Sequence, residues 1–225
     1  MPIRVFVADD HGVVRDGLRL LFEAQEDITV VGEADDGRKA VRLVQQLCPD
    51  VVVMDIAMPE LSGIEAANQI RETCPSTQVV ILSMHVSREY VYSALRAGVL
   101  GYVLKESVGN DVVEAIRAVN AGRRYLSELV AETALEDYAN HRKYTFSGSP
   151  LNRLSSRERE VLQLVAEGKS SAEIAEILYL SPKTIATYRS RLMKKLVVRN
   201  LPSLINFAIR HGVIPPESND VGLGD

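Results

Sequence analysis

The chain has 225 residues, 46% apolar and 25% charged, which suits a globular protein with room for one large or two small domains. No apolar run approaches the roughly 18 residues of a membrane span, and residues 1–8 are too short and strand-like for a signal peptide. The net charge of -4 hides a division, since residues 1–150 carry 15 basic and 22 acidic side chains whereas residues 151–212 carry 11 and 5. Only the second segment suits a polyanionic partner. A cytoplasmic protein with no membrane association is expected. Cys48 and Cys74, its two cysteines, are expected as buried free thiols.

Taken in order, the first 121 residues alternate short apolar runs with amphipathic stretches. The runs are Ile3–Ala8, Ile28–Ala34, Val51–Met54, Gln78–Ser83 and Gly101–Leu104, uninterrupted as buried parallel strands are. Between them Val14, Leu18 and Phe22, then Val41 and Val44, Ile64 and Ala67, Val91 and Leu95, and Val112 and Ile116 recur at helical spacing. Five β/α repeats predict a doubly wound five-stranded parallel sheet of order 2-1-3-4-5, with helices on both faces. Residues 122–153 read as a linker: a helix over Ser127–His141, then the polar stretch Thr145–Pro150.

From 154 to 214 the pattern is purely helical and predicts a small four-helix domain with a helix-turn-helix at about 169–188. Ser155 and Glu158 form a capping-box pattern. Ser181 precedes Pro182, which costs nothing at a first helical position. A last helix runs from about Leu201 to His211, and residues 215–225 read as a disordered tail.

The strand ends carry the chemistry. Asp9 and Asp10 end strand one and Asp55 ends strand three, neighbours at the point where the strand order reverses and ligands bind. Three converging carboxylates repel unless a hard cation intervenes, and Mg²⁺ takes carboxylate oxygens together with phosphate oxygens. An aspartate can also attack phosphorus to form an acyl phosphate. Ser83 ends strand four and Lys105 follows strand five, where a hydroxyl and an ammonium can reach phosphoryl oxygens. His11 reads as a helix-start residue and His85 as a loop residue near the pocket mouth. A hydrolase using an aspartyl phosphate needs an acid/base aspartate two residues after the nucleophile. Ala57 stands there, so a turnover enzyme is not expected.

In the third helix of the basic segment, Ile185, Tyr188, Leu192 and Leu196 share one face. The opposite stripe is Lys183, Thr187, Ser190 and Lys194, flanked by Thr184, Ala186, Arg191 and Lys195. Basic side chains around short polar ones suit the major groove of double-stranded DNA.

Two stretches resemble known families. VADDH (7–11), VVVMDIAMPELSGIE (51–65), VVILSMH (79–85) and ALRAGVLGYVLK (94–105) resemble the receiver domain of two-component response regulators, a flavodoxin-like fold. The resemblance implies Mg²⁺ held by Asp10, Asp55 and the carbonyl oxygen of Ala57, with Asp9 acting through water. It also implies that Asp55 accepts a phosphoryl group from a sensor histidine kinase. Ser83 and Lys105 would sense that group, and Tyr102 would be the aromatic that moves with Ser83. Glu106 departs from the family, where proline commonly follows the lysine, which puts the usual cis peptide in question.

Residues 154–196 (LSSREREVLQLVAEGKSSAEIAEILYLSPKTIATYRSRLMKKL) resemble the LuxR/NarL-type helix-turn-helix. That implies base reading at Ala186, Thr187 and Ser190. Ala186 replaces a frequent lysine and offers only a methyl contact. It also implies that the last helix pairs two copies on DNA. Together the two resemblances imply a DNA-binding transcriptional response regulator of the NarL/FixJ type.

Overall fold

Along the strands of the N-terminal unit, alternate side chains enter two different apolar layers, because helices cover both faces of one sheet. In the computed structural model, which describes residues 1–84, 86–107, 109–141, 150–211 and 213–214, the chain divides at Ser149/Pro150 into two units. Strands β1 (Ile3–Ala8), β2 (Ile28–Ala34), β3 (Val51–Asp55), β4 (Gln78–Ser83) and β5 (Gly101–Leu104) run parallel in the predicted order 2-1-3-4-5. Val5, Val7, Val51 and Val53 pack on one side with α1 (Gly12–Glu23) and α5 (Asn110–Asn120). Phe6, Ala8, Val52 and Met54 pack on the other, with α2 (Gly37–Leu47), α3 (Gly63–Thr73) and α4 (Arg88–Arg96).

Among the described residues the sheet has six strands, one more than the sequence predicts. The addition is β6 (Tyr125–Leu126), paired in parallel with Gly101 and Tyr102 of β5. Two residues are too few to show a period of two, so nothing in the pattern marks them. β6 and α6 (Glu128–His141) fall within the stretch read as a linker. Val130 is nevertheless fully buried in the layer that holds Tyr102, with Leu126 and Ala134 against it. The polar stretch 145–149 and the tail from 215 lie outside the described residues.

A second departure concerns the cysteines. Cys74 is buried as expected, but Cys48 is exposed: it follows the last residue of α2 as a left-handed cap with φ 42°, where the chain turns off the buried face of the helix.

The C-terminal unit is built from α7 (Ser156–Ala166), α8 (Ser171–Leu178), α9 (Pro182–Leu196) and α10 (Leu201–Arg210). Ser155 and Ser170 close full capping boxes with Glu158 and Glu173, and Ser181 caps α9. Ile185, Leu192 and Leu196 of α9 join Leu162, Leu164, Ile174 and Leu204 in one core, with Tyr188 packed at its margin. α8 and α9 meet through Tyr179 at φ 53°, and α9 ends on Val197 at φ 57°. Among the described residues no helix is long and apolar enough to cross a membrane.

Candidate functional site: an acidic pocket and an exposed basic helix

Strand register assembles the first site. Ala8 pairs with Met54, so Asp9 and Asp55, the next residues, emerge side by side at the carboxyl edge of the sheet. Ser83 pairs with Leu104, which brings Lys105 to the same edge. The Lys105 ammonium lies 2.7 Å from Asp9 Oδ2 and 3.1 Å from Asp55 Oδ2, with side-chain exposures of 7%, 0% and 4% for Lys105, Asp9 and Asp55. Burial raises the Asp55 carboxyl above its ordinary range, and the Lys105 charge opposes that rise. Burial in turn disfavours the ammonium, but Asp55 and Asp9 together carry it above its ordinary value. Asp55 also accepts a hydrogen bond from the Ile56 N–H at 2.8 Å, which fixes the orientation of its carboxylate.

Two glycines set this position. A Cβ on Gly63 would lie 1.9 Å from the Asp55 carbonyl oxygen, so α3 can start against the end of β3 only without a side chain there. A Cβ on Gly37 would lie 1.9 Å from the Leu61 carbonyl oxygen, so the N-terminus of α2 touches the loop that follows Asp55 directly. Ser62 caps α3 from that loop, accepting a hydrogen bond from the Glu65 N–H.

His11 belongs to the pocket, although the sequence reading makes it only a helix-start residue. It sits at the N-cap of α1 without capping. Its Nδ1 lies 2.7 Å from Asp10 Oδ1 and 3.2 Å from Asp9 Oδ1, and its backbone N–H donates to Asp9. Asp9, Asp10, His11 and Asp55 each present a ligand atom, all within 4.8 Å of one another. Three carboxylates beside one ammonium leave an excess of hard anionic oxygen, a donor set that fits Mg²⁺.

Behind the pocket, the Ser83 side chain is hydrogen-bonded to the Tyr102 phenol. Tyr102 is buried to 1% exposure, and its carbonyl accepts from the Ser127 N–H at 3.0 Å, just before α6. Burial raises both Tyr102 and its neighbour Tyr90, Tyr90 to about 12, and the Asp55 charge adds to each. Tyr90 gives no signal in the sequence. His85 lies outside the described residues. The peptide bond into Glu106 is trans, within a 3-10 turn over Lys105–Ser107.

The second site is the outer face of α9. Lys183, Ala186, Thr187, Ser190, Arg191 and Lys194 are exposed along it. The Thr187 hydroxyl donates to the Lys183 carbonyl at 3.0 Å, so its proton is engaged within the helix while its oxygen keeps the capacity to accept. Thr184 is half-buried and tied to the Ser181 cap. Lys195 turns away to α7, with Nζ 2.6 Å from Glu158 Oε2 and 3.3 Å from the Arg153 carbonyl oxygen. That contact, with the Ser155 capping bonds, holds the Glu158 carboxyl below its ordinary range although burial works the other way.

These geometries have counterparts. The model of the response regulator receiver domain matches residues 5–117, and that of the luxR family of bacterial regulatory proteins matches residues 152–208. The chain is 38% identical to the transcriptional regulatory protein YxjL of Bacillus subtilis over 94% of this chain and 97% of that one. It is 35% identical to the oxygen regulatory protein NreC of Staphylococcus haemolyticus over 92% of this chain and 97% of that one. Among solved structures, RcsB of Salmonella enterica serovar Typhimurium bound to the rprA promoter with the phosphomimetic BeF3- is 32% identical, with a TM-score of 0.56 over 91% of this chain and 97% of that one.

Proposed function

Because the chain belongs to the transcriptional response regulators that join a receiver domain to a LuxR-type DNA-binding domain, we propose that Asp55 is its phosphoacceptor and the α9 face its DNA-reading surface. The observation that carries this reading is the Lys105 ammonium between the buried carboxylates of Asp9 and Asp55. Its charge opposes the upward shift that burial imposes on the Asp55 carboxyl and so favours the ionised, attacking form, and it is itself placed to bind the oxygens of an incoming phosphoryl group. The Asp55 oxygen would form a bond to phosphorus as the N–P bond of a phosphohistidine on a sensor histidine kinase breaks. Mg²⁺, held by Asp10, Asp55 and the carbonyl oxygen of Ala57 with Asp9 acting through water, would neutralise charge on that group.

Once the phosphoryl group is in place, Ser83 has a better acceptor than the Tyr102 phenol. Moving its hydroxyl there frees Tyr102 within β5, and the change favours one of two pre-existing states. Ala57 supplies no acid or base beside the acyl phosphate, so the site acts as a stoichiometric switch and the protein is not an enzyme. In the C-terminal unit, Lys183, Arg191 and Lys194 would contact phosphates while Ala186, Thr187 and Ser190 meet base edges. α10 would pair two copies on a palindromic site. We place the protein in the cytoplasm, where kinase and promoter both occur.

Acetyl phosphate with Mg²⁺ is expected to add about 80 Da to the wild type and nothing to Asp55→Asn. A modified asparagine variant, or labelling that survives a chelator, would overturn the site assignment.

A further inference from the structure

Cys48 and Cys74 are 26 positions apart in sequence, yet their Sγ atoms lie 3.9 Å apart. Neither belongs to the acidic pocket or to α9. Cys48 is exposed and Cys74 is 5% exposed, so one thiol meets solvent and the other waits behind it. Backbone contacts fix both. The Arg4 guanidinium donates to the Leu47 and Cys48 carbonyls, each at 2.8 Å, and holds the end of α2. The Cys74 thiol donates to the Val44 carbonyl one turn back in the same helix. A disulfide needs about 2.05 Å between sulfurs. Closing the gap from 3.9 Å would fall to the exposed Cys48 side chain, since Cys74 is held in the core.

We infer that Cys48 and Cys74 form a dithiol oxidised by hydroperoxides, with Cys48 the thiol that meets the oxidant and Cys74 the thiol that resolves it. In the first step the Cys48 thiolate attacks one peroxide oxygen. An S–O bond forms, the O–O bond breaks, and the departing hydroxide leaves as water with a proton from solvent. Cys48 is then a sulfenic acid, its sulfur oxidised by two electrons. In the second step the Cys74 sulfur attacks Cys48 Sγ. The S–S bond forms, the S–O bond breaks, and hydroxide leaves as water with the Cys74 proton. Two thiols and one hydrogen peroxide thus give one disulfide and two waters.

Where the link would sit gives it a consequence. Cys48 precedes β3 and Cys74 precedes β4, at the edge of the sheet opposite Asp55. The ring from 48 to 74 contains β3, the loop after Asp55 and all of α3. Oxidation would staple α2 to the end of α3 and restrain the whole segment that presents Asp55, without placing an atom in the pocket.

The test uses the full chain and hydrogen peroxide, with free thiols alkylated before a non-reducing peptide map. The expected result is a mass about 2 Da lower, one cross-linked peptide pair joining Cys48 to Cys74, and reversal by dithiothreitol. The oxidised form is also expected to unfold roughly 5–10 °C higher. In Cys74→Ala a sulfenic acid on Cys48 is expected to be trapped by dimedone, and in Cys48→Ser Cys74 is expected to stay reduced. Should Cys74→Ala not fold, the wild-type map decides alone. A sulfinic or sulfonic Cys48 beside an alkylatable Cys74, chains joined to one another through Cys48, or a chain that stays reduced would each overturn the inference.

Discussion

The acidic pocket and the α9 face are both rows of charged and short polar side chains, but one is enclosed by its own chain and the other is open. Asp9, Asp55 and Lys105 are held by strand register, by a hydrogen bond from Ile56 and by a glycine that lets α3 approach. Lys183, Thr187, Ser190 and Lys194 stand exposed on the single helix that carries them. A buried charge must be balanced inside the protein, so each pocket residue constrains the next. An exposed charge is balanced by water until a partner arrives. Changes in the pocket should therefore move folding and chemistry together, while changes on the α9 face should move binding alone.

The sharpest attempt to break that contrast is Gly63→Ala. The new Cβ meets the Asp55 carbonyl at 1.9 Å, and backbone cannot yield as a side-chain end can. The expected cost is about 3 kcal/mol in urea unfolding together with loss of acetyl phosphate labelling; full labelling at an unchanged midpoint would show that the β3–α3 contact is not what positions Asp55. On the open side, Thr187→Glu is expected to weaken operator binding about 100-fold, since a carboxylate meets the phosphates and base edges. Its urea midpoint should stay where it is.

A smaller effect divides two lysines of α9. Lys183→Ala should lower the slope of log K against log salt by about 1. Lys195→Ala should leave the slope alone and cost about 1 kcal/mol of stability, because its ammonium serves the Glu158 cap. Equal slopes for both variants would mean that Lys195 swings out to the DNA.

The smallest effect carries a sign. Burial raises the Asp55 carboxyl above its ordinary range. A group with a raised folded-state pKa contributes stability that is complete below the unfolded value, about 3.9, and lost as pH rises through the folded one. Asp55→Asn keeps the neutral form at every pH. It should therefore unfold at a higher temperature than wild type at pH 7, with the advantage shrinking as the solution is acidified. An advantage that grows on acidification would make the Lys105 pair, not burial, the dominant influence.

Much of the pocket was legible because buried parallel strands leave a plain trace. Each apolar run stops at the sheet edge, so Asp9, Asp10, Asp55 and Lys105 are marked as residues that come next, and Ser83 as the polar end of its run. What the pattern could not carry are relations across the fold. The role of His11 depends on where its ring points, and that of Gly63 on a carbonyl eight residues earlier that touches it. β6 is too short for any period. On α9, Lys195 has the spacing of a flanking cation, and only packing reveals that α7 has claimed it. The exposure of Cys48 follows from a left-handed helix end that no periodicity foretells.

The two residues of β6 have one more effect. An edge strand offers unpaired amides and carbonyls to any passing chain, and β5 would be such an edge without Tyr125 and Leu126 beside Gly101 and Tyr102. The replacement edge is too short to template another strand, and it is entered through the paired charges Arg123-Arg124. The segment that leads away from the sheet thus also protects it from aggregation.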